Sequence, residues 1–108
     1  MQKSIDLVMR IYQITRVFPR EEDFGLKAQL RRAAVSVPSN IAEGLTRSSK
    51  KDKLHFLNVA QSSLSEIDAQ CEISYRLHYL DENVYKGVEE QLSEVQMLLN
   101  GLARSIRA

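Results

Sequence analysis

Six basic residues are the side chains whose type and spacing point most directly to a ligand. They form two groups, Arg31 with Arg32, and then Arg47, Lys50, Lys51 and Lys53. Lysine and arginine bind the phosphate backbone of nucleic acids, because neutralising phosphates releases condensed counterions. The second group falls where a helix is predicted to begin, and positive charge there opposes the helix dipole unless water or an anion compensates. Two interpretations follow: a surface that binds RNA or DNA, or an ordinary solvated surface.

A second set of polar residues interrupts apolar helical stretches. Its members are Asn40, Glu43, Ser62, Ser63 and Glu66. An antiparallel hairpin of the second and third predicted helices places Asn40 opposite Leu57 and Arg32 close to Glu66. We therefore expect an Arg32–Glu66 pair, or bonds from Asn40 and Glu43 across the seam or a subunit interface. Structural hydrogen bonding is the simpler interpretation, and a ligand or partner site is the alternative.

Catalytic and metal-binding patterns are missing from the sequence. His55 and His78 are separated by 23 residues, about 35 Å along one helix, so they cannot share a metal ion. The sequence contains no Glu-x-x-His pair, no phosphate-binding loop, no dinucleotide fingerprint and no nucleophile elbow. Cys71 lies among apolar and small residues, which indicates a buried structural thiol. The prediction is a non-enzyme with no catalytic residues, no metal and no cofactor.

The composition fits a single small folded domain. The chain has 108 residues, of which 44% are hydrophobic and 27% charged, with one cysteine and a formal net charge of +1. That charge is uneven, because residues 1–53 carry an excess of five positive charges and residues 54–108 an excess of four negative ones. Such polarity suits a nucleic-acid surface or complementary faces for self-association. We expect no signal peptide, no membrane span and no disulfide, hence a cytoplasmic protein.

Apolar periodicity predicts four helices, over residues 4–17, 23–46, 49–79 and 82–104. The first is apolar around much of its circumference, with one stripe at Ile5, Met9 and Tyr12 and another beside it at Leu7, Ile11 and Ile14. Apolar seams mark the other three, and the seam of the third has heptad-like spacing, which is typical of helices that pack at shallow angles. Short connections force neighbours to run antiparallel. The fold class predicted is all-α, an up-down-up-down four-helix bundle over residues 1–108.

Pro38 lies inside the second predicted helix. Proline removes one backbone donor and crowds the carbonyl four residues earlier, here that of Ala34. The helix therefore either kinks near Pro38 or breaks into two pieces with Pro38 in the first turn of the second. The apolar periodicity continues in register through Pro38, which favours a kink or a short break within one continuous rod.

Five segments together resemble a known family. They read FPREE at 18–22, QLRRAAVSVPSNIAEG at 29–44, FLNVA at 56–60, SSLSE at 62–66 and LHYL at 77–80. The sequence resembles the 23S rRNA intervening-sequence proteins, also called four helix bundle proteins. The resemblance implies an up-down bundle that assembles as a homopentamer. It also implies kinship with the accessory proteins of diversity-generating retroelements, basic pentamers that bind nucleic acid and a reverse transcriptase.

The basic residues and the resemblance together predict a non-enzymatic oligomer that binds RNA or DNA through those residues, and the resemblance implies that this oligomer is a homopentamer. The alternative is a protein-interaction scaffold with an unknown protein partner and no nucleic-acid binding. The two differ in the partner expected, since the first requires an anionic polymer and the second a protein surface.

Overall fold

The computed structural model describes all 108 residues and contains four α-helices joined by short connections. The helices are α1 (Gln2–Thr15), α2 (Leu26–Thr46), α3 (Lys50–Arg76) and α4 (Glu82–Arg107), with a 3-10 turn at Arg20–Glu22 before α2. The structure has no strand, so the predicted all-α four-helix class is confirmed. None of the four helices combines the length and the apolar character that crossing a membrane requires.

The helices form a closed ring of neighbours, α1–α2–α3–α4 and back to α1, with the most extensive contact between α2 and α3. One hydrophobic core runs through all four helices, and the predicted seams supply most of it. Leu30, Leu57, Ile67 and Leu99 are almost completely buried. In α1, the stripe of Leu7, Ile11 and Ile14 faces this core. The neighbouring α1 stripe is left on the surface, as described below.

Capping side chains determine where two of the helices begin. The hydroxyl of Ser49 accepts from the backbone N–H of Asp52 at 3.1 Å, and α3 begins at the next residue. The carboxylate of Asp81 accepts from the N–H of Val84 at 2.8 Å, and α4 follows. Both are N-caps, which satisfy backbone donors that have no partner within the helix. The starts predicted from Ser49 and Asp81 are therefore confirmed within one residue.

The other helix ends differ from the predicted bounds. α2 begins at Leu26 rather than at residue 23, because the 3-10 turn comes first and the Glu22 carboxylate accepts from the N–H of Leu26 at 3.0 Å. α1 ends at Thr15, two residues early, and α4 continues to Arg107, three residues late. Such shifts at frayed ends are common, since terminal turns lack the full set of backbone bonds.

α3 ends three residues before the predicted bound because His78 adopts the left-handed conformation, with φ of 66°. The N–H of Tyr79 donates to the carbonyl of Ser74 at 2.9 Å, and the N–H of His78 donates to that of Tyr75 at 3.0 Å. These two bonds form a Schellman motif, in which the left-handed residue is usually glycine. The chain thus turns sharply toward α4 with a histidine where glycine would be unstrained.

α2 continues without interruption through Pro38, and the chain has no cis peptide bond. The structure therefore has one continuous rod at this position rather than two separate pieces. A bend of the α2 axis at Pro38 stays a prediction.

Candidate nucleic-acid and self-association surfaces

Antiparallel packing gathers basic side chains at one end of the bundle. The α2–α3 connection lies at this end together with the last turn of α4, and the Nζ of Lys50 donates to the carbonyl of Ala108 at 3.3 Å. We call this region the basic end: Arg47, Lys50, Lys51, Lys53, Arg104 and Arg107. Arg104 and Arg107 are not among the predicted residues, because more than fifty residues separate them from the connection. Their position in the last turn of the last helix is the signal that could have identified them.

Besides Lys50, two members of the basic end are held by neighbouring groups. Arg47 pairs with Glu43 one turn earlier at 2.6 Å, and its guanidinium lies 4.9 Å from the centre of the Phe56 ring. The Nζ of Lys53 donates to the carbonyl of Leu45 at 3.4 Å, near the end of α2. Lys51 is exposed and makes no ion pair or hydrogen bond. Exposed cations of this kind suit a diffuse, salt-sensitive contact with phosphates.

The structure does not bring Arg31 and Arg32 to the basic end. Fifteen residues of α2 separate Arg32 from Arg47, which corresponds to about 22 Å along the helix. Arg31 packs against α1 instead, where its Nε donates to the hydroxyl of Thr15 at 3.0 Å and its Nη2 to the carbonyl of Tyr12 at 3.2 Å. Its guanidinium also lies 4.4 Å from the centre of the Tyr12 ring. The six predicted residues therefore occupy two separate places.

The predicted polar cluster is only partly assembled. Ser63 donates to the hydroxyl of Ser36 at 2.8 Å across the α2–α3 seam, and Asn40 donates to the same hydroxyl at 3.0 Å from within α2. Ser36 thus links the two helices, although it is not in the predicted set. The other predicted members, Glu43, Ser62 and Glu66, are exposed.

Two of the predicted cross-seam bonds are absent. Arg32 and Glu66 form no ion pair, and Glu43 bonds only to Arg47 within its own turn. Arg32, Glu43 and Glu66 are all exposed, so their side chains lie at the surface rather than in the seam. The predicted register differs as well, because it placed Asn40 opposite Leu57. The Ser36–Ser63 bond instead sets Asn40 level with a position two residues further along α3.

Exposed apolar side chains at helical spacing along α1, with two more on α2, define an apolar strip of surface. It contains six of the twelve large hydrophobic side chains that are exposed, so apolar exposure is concentrated there. We call this strip the α1–α2 face: Met1, Ile5, Met9, Tyr12, Val35 and Leu45. Met9 is the most exposed of them, at 64%. Larger apolar patches on the surfaces of small proteins are typical of interaction sites, whereas single exposed apolar side chains are ordinary.

A groove lies on the opposite pair of helices, between α3 and α4. It encloses about 420 Å³, with Leu64 and Leu92 in its floor and Met97, 73% exposed, on its rim. Asp68 and Glu89 also line it. We call it the α3–α4 groove. The five ion pairs of the structure involve neither acid, so the groove carries acidic charge that no cation of the same chain balances.

Partial burial perturbs Glu89 and the neighbouring Tyr85. Desolvation, together with the adjoining Asp68, raises the pKa of Glu89. Hydrogen bonding to Glu89, with desolvation, raises the pKa of Tyr85 to about 12. Tyr85 stacks on Tyr75 with ring centres 4.6 Å apart, and this pair closes one end of the α3–α4 contact. An added cation beside Glu89 would favour its charged form and lower its pKa again.

No His, Cys, Asp or Glu side chains come together in groups of three or more that could hold a metal ion. Cys71 is buried, and desolvation chiefly raises the pKa of its thiol to about 12, which keeps it protonated and unreactive at neutral pH. His55 and His78 are both exposed, near opposite ends of α3.

Comparisons with known proteins agree with this architecture. The family model of the 23S rRNA-intervening sequence protein matches residues 1–101. A crystal structure of a protein of unknown function from the S23 ribosomal protein family of Bacteroides thetaiotaomicron superposes with a TM-score of 0.85 at 24% identity, over 94% of each chain. At that identity the likeness concerns the fold. No curated protein sequence matches the chain significantly.

Proposed function

The chain belongs to the 23S rRNA-intervening sequence protein family, and on this premise we propose that it is a non-enzymatic homo-oligomer that binds RNA or DNA. The oligomer is a pentamer, as the sequence resemblance implies, and it acts in the cytoplasm. The basic end is the observation that supports nucleic-acid binding, because it presents six lysine and arginine side chains from three helix termini.

The chemistry of this end favours backbone contact over base recognition. Lysine and arginine at helix termini reach phosphates without entering a groove, and such contacts position a protein without reading sequence. One basic end neutralises few phosphates, so a single copy binds weakly. A ring of copies repeats the end, and simultaneous engagement of a long strand multiplies the affinity.

Binding of labelled RNA and DNA over a series of salt concentrations tests this proposal. We expect affinity for both polymers at low salt, with log K falling linearly with log salt concentration. Reversing three charges of the basic end, Lys50→Glu, Lys51→Glu and Arg104→Glu, should abolish measurable binding.

The matched control reverses three exposed arginines elsewhere, Arg16→Glu, Arg20→Glu and Arg32→Glu, with the same change in net charge. This control should keep most of the affinity and the salt slope. Absence of binding at low salt, or equal losses in both triple variants, would show that the basic end is not a nucleic-acid site.

A protein-interaction scaffold without nucleic-acid binding is the second candidate, and the exposed α1–α2 face favours it. It predicts that one host protein co-purifies with the chain from a nuclease-treated lysate. Substituting Met9→Asp and Val35→Asp should release that protein. Light scattering addresses assembly directly, because a pentamer has five times the 12.4 kDa mass of one chain.

A further inference from the structure

We propose that the α1–α2 face of one copy packs into the α3–α4 groove of the next copy, so that self-association uses two different surfaces. This inference rests on the proposed oligomer and specifies which surfaces of neighbouring copies are in contact. The occupant of the α1–α2 face is thus a second copy of this chain. Two features carry the assignment: complementary character of the two surfaces and their equal height along the bundle.

The two surfaces supply matching apolar parts. The α1–α2 face offers side chains such as Met9 and Val35, and the α3–α4 groove offers Met97 above a floor of Leu64 and Leu92. Methionine adapts its shape to irregular apolar surfaces. A stable contact buries about 800 Å² per partner, and six half-exposed large side chains with their polar rim provide a strip of that order.

The charges of the two surfaces are opposite. Arg31 borders the face beside Tyr12 and has no carboxylate partner, since its two hydrogen bonds go to a hydroxyl and a carbonyl. A guanidinium has five N–H donors, so Arg31 keeps donors for a further acceptor. The groove presents Asp68 and Glu89, which lack a cation. Packing face on groove therefore brings an arginine to two unbalanced acids.

The register of the bundle places these charges at the same height. Ser36 of α2 bonds to Ser63 of α3, and because the two helices run antiparallel, five residues back along α2 correspond to five residues forward along α3. Arg31 is therefore level with Asp68. Side-by-side copies related by an axis along the bundle keep their heights, so Arg31 of one copy lies level with Asp68 of its neighbour.

The apolar parts match in height as well. Val35 is level with Leu64 by the same register. Across α3 and α4, the amide of Gln61 donates to Asn100 at 3.1 Å, which sets Leu64 level with Met97. Val35 of one copy thus lies level with Met97 of the next.

A contact between two different surfaces is heterologous, and it closes into a ring when the rotation between copies permits. A contact of face against face would instead bring two copies of Arg31 toward each other without an acid. Ring closure about an axis along the bundle also points every basic end to the same side.

Mixing experiments test this contact. Met9→Asp with Val35→Asp disables the face, and Met97→Asp disables the groove. We expect each variant alone to be a 12.4 kDa monomer by light scattering. A one-to-one mixture should form dimers of twice that mass and nothing larger, because only one intact face and one intact groove remain. Circular dichroism and thermal unfolding establish that both variants are folded.

The matched control is Ile73→Asp, an exposed apolar residue of α3 outside both surfaces, which should keep the mass of the unchanged chain. A second measurement exchanges charges. Arg31→Glu and Asp68→Lys should each weaken assembly at least tenfold, and the double variant should recover it.

Three results would overturn the contact: a groove variant that assembles normally, a mixture that stays monomeric, or an Ile73→Asp variant that also dissociates. In those cases an oligomeric unchanged chain leaves the proposed function standing. A monomeric unchanged chain at all concentrations would instead refute the proposed oligomer, and the contact with it.

Discussion

The hydroxyl of Ser63 donates to the hydroxyl of Ser36 at 2.8 Å. This bond joins α2 and α3, the two helices with the most extensive mutual contact, near the middle of each helix. Ser63 is only 7% exposed. Ser36 also accepts from the side-chain amide of Asn40 at 3.0 Å. A partly buried polar pair of this kind specifies one register between α2 and α3, since any slip leaves a hydroxyl without its partner.

Replacing Ser63 by alanine should therefore destabilise the protein by about 1 kcal/mol, the usual contribution of a buried hydrogen bond. Urea unfolding followed by circular dichroism measures this loss. Ser62, the preceding residue, is exposed and serves as the control. Ser62→Ala should change the free energy of unfolding by less than about 0.5 kcal/mol. Equal effects of the two substitutions would contradict the role assigned to Ser63.

Replacing Arg31 should lower the stability of the fold, whereas replacing Arg32 should not. Arg31 bonds to Thr15 and Tyr12 of α1 and lies over the Tyr12 ring, so Arg31→Ala should lower the free energy of unfolding by about 1–2 kcal/mol. Arg32→Ala removes an exposed side chain without an ion pair and should be neutral. Thermal unfolding of both variants checks this. A destabilised Arg32→Ala variant would show that the exposed arginine also contributes to the stability of the fold.

Relieving the left-handed residue at the end of α3 should stabilise the fold. His78→Gly removes a Cβ from a position with φ of 66°, and we expect a gain of about 1 kcal/mol, which is a few degrees in Tm. His78→Ala keeps the Cβ and should bring no gain. The prediction fails if alanine and glycine raise Tm equally, because the effect would then come from losing imidazole.

Stability should fall with pH above pH 9 because of Cys71. Its thiol has an ordinary pKa of 9.0, which burial raises to about 12 in the folded protein. Below pH 9 both states hold the proton and the thiol has no effect. Between pH 9 and 12 only the unfolded chain releases it, so the free energy of unfolding drops by about 1 kcal/mol from pH 9 to pH 10.

The comparison variant for this pH effect is Cys71→Ala. It should show a shallower decline over the same range, whatever its stability at pH 7. Guanidinium unfolding at several pH values measures both slopes. Identical slopes for the unchanged protein and for Cys71→Ala would mean that groups other than Cys71 cause the loss of stability at alkaline pH.

Local signals predicted much of the fold. Ser49 and Asp81 marked two helix starts within one residue, because an N-cap depends on a few neighbouring atoms. The end of α3 was missed, since a left-handed histidine is not distinguishable from any other histidine in a sequence. The site was less predictable. The basic residues of the α2–α3 connection were identified from the sequence. Arg104 and Arg107 lie beside them only because α4 runs antiparallel to α3 and ends at the same end of the bundle.

The sequence by itself determined the helical class, the core seams and the family, because periodicity and motifs are properties of consecutive residues. Tertiary structure decided which of the two apolar stripes of α1 is buried: Leu7 and Ile11 lie in the core, while Ile5 and Met9 stay on the surface. It also separated Arg31 from the basic end and fixed the α2–α3 register. These outcomes depend on how helices distant in sequence pack, and a linear pattern does not contain that geometry.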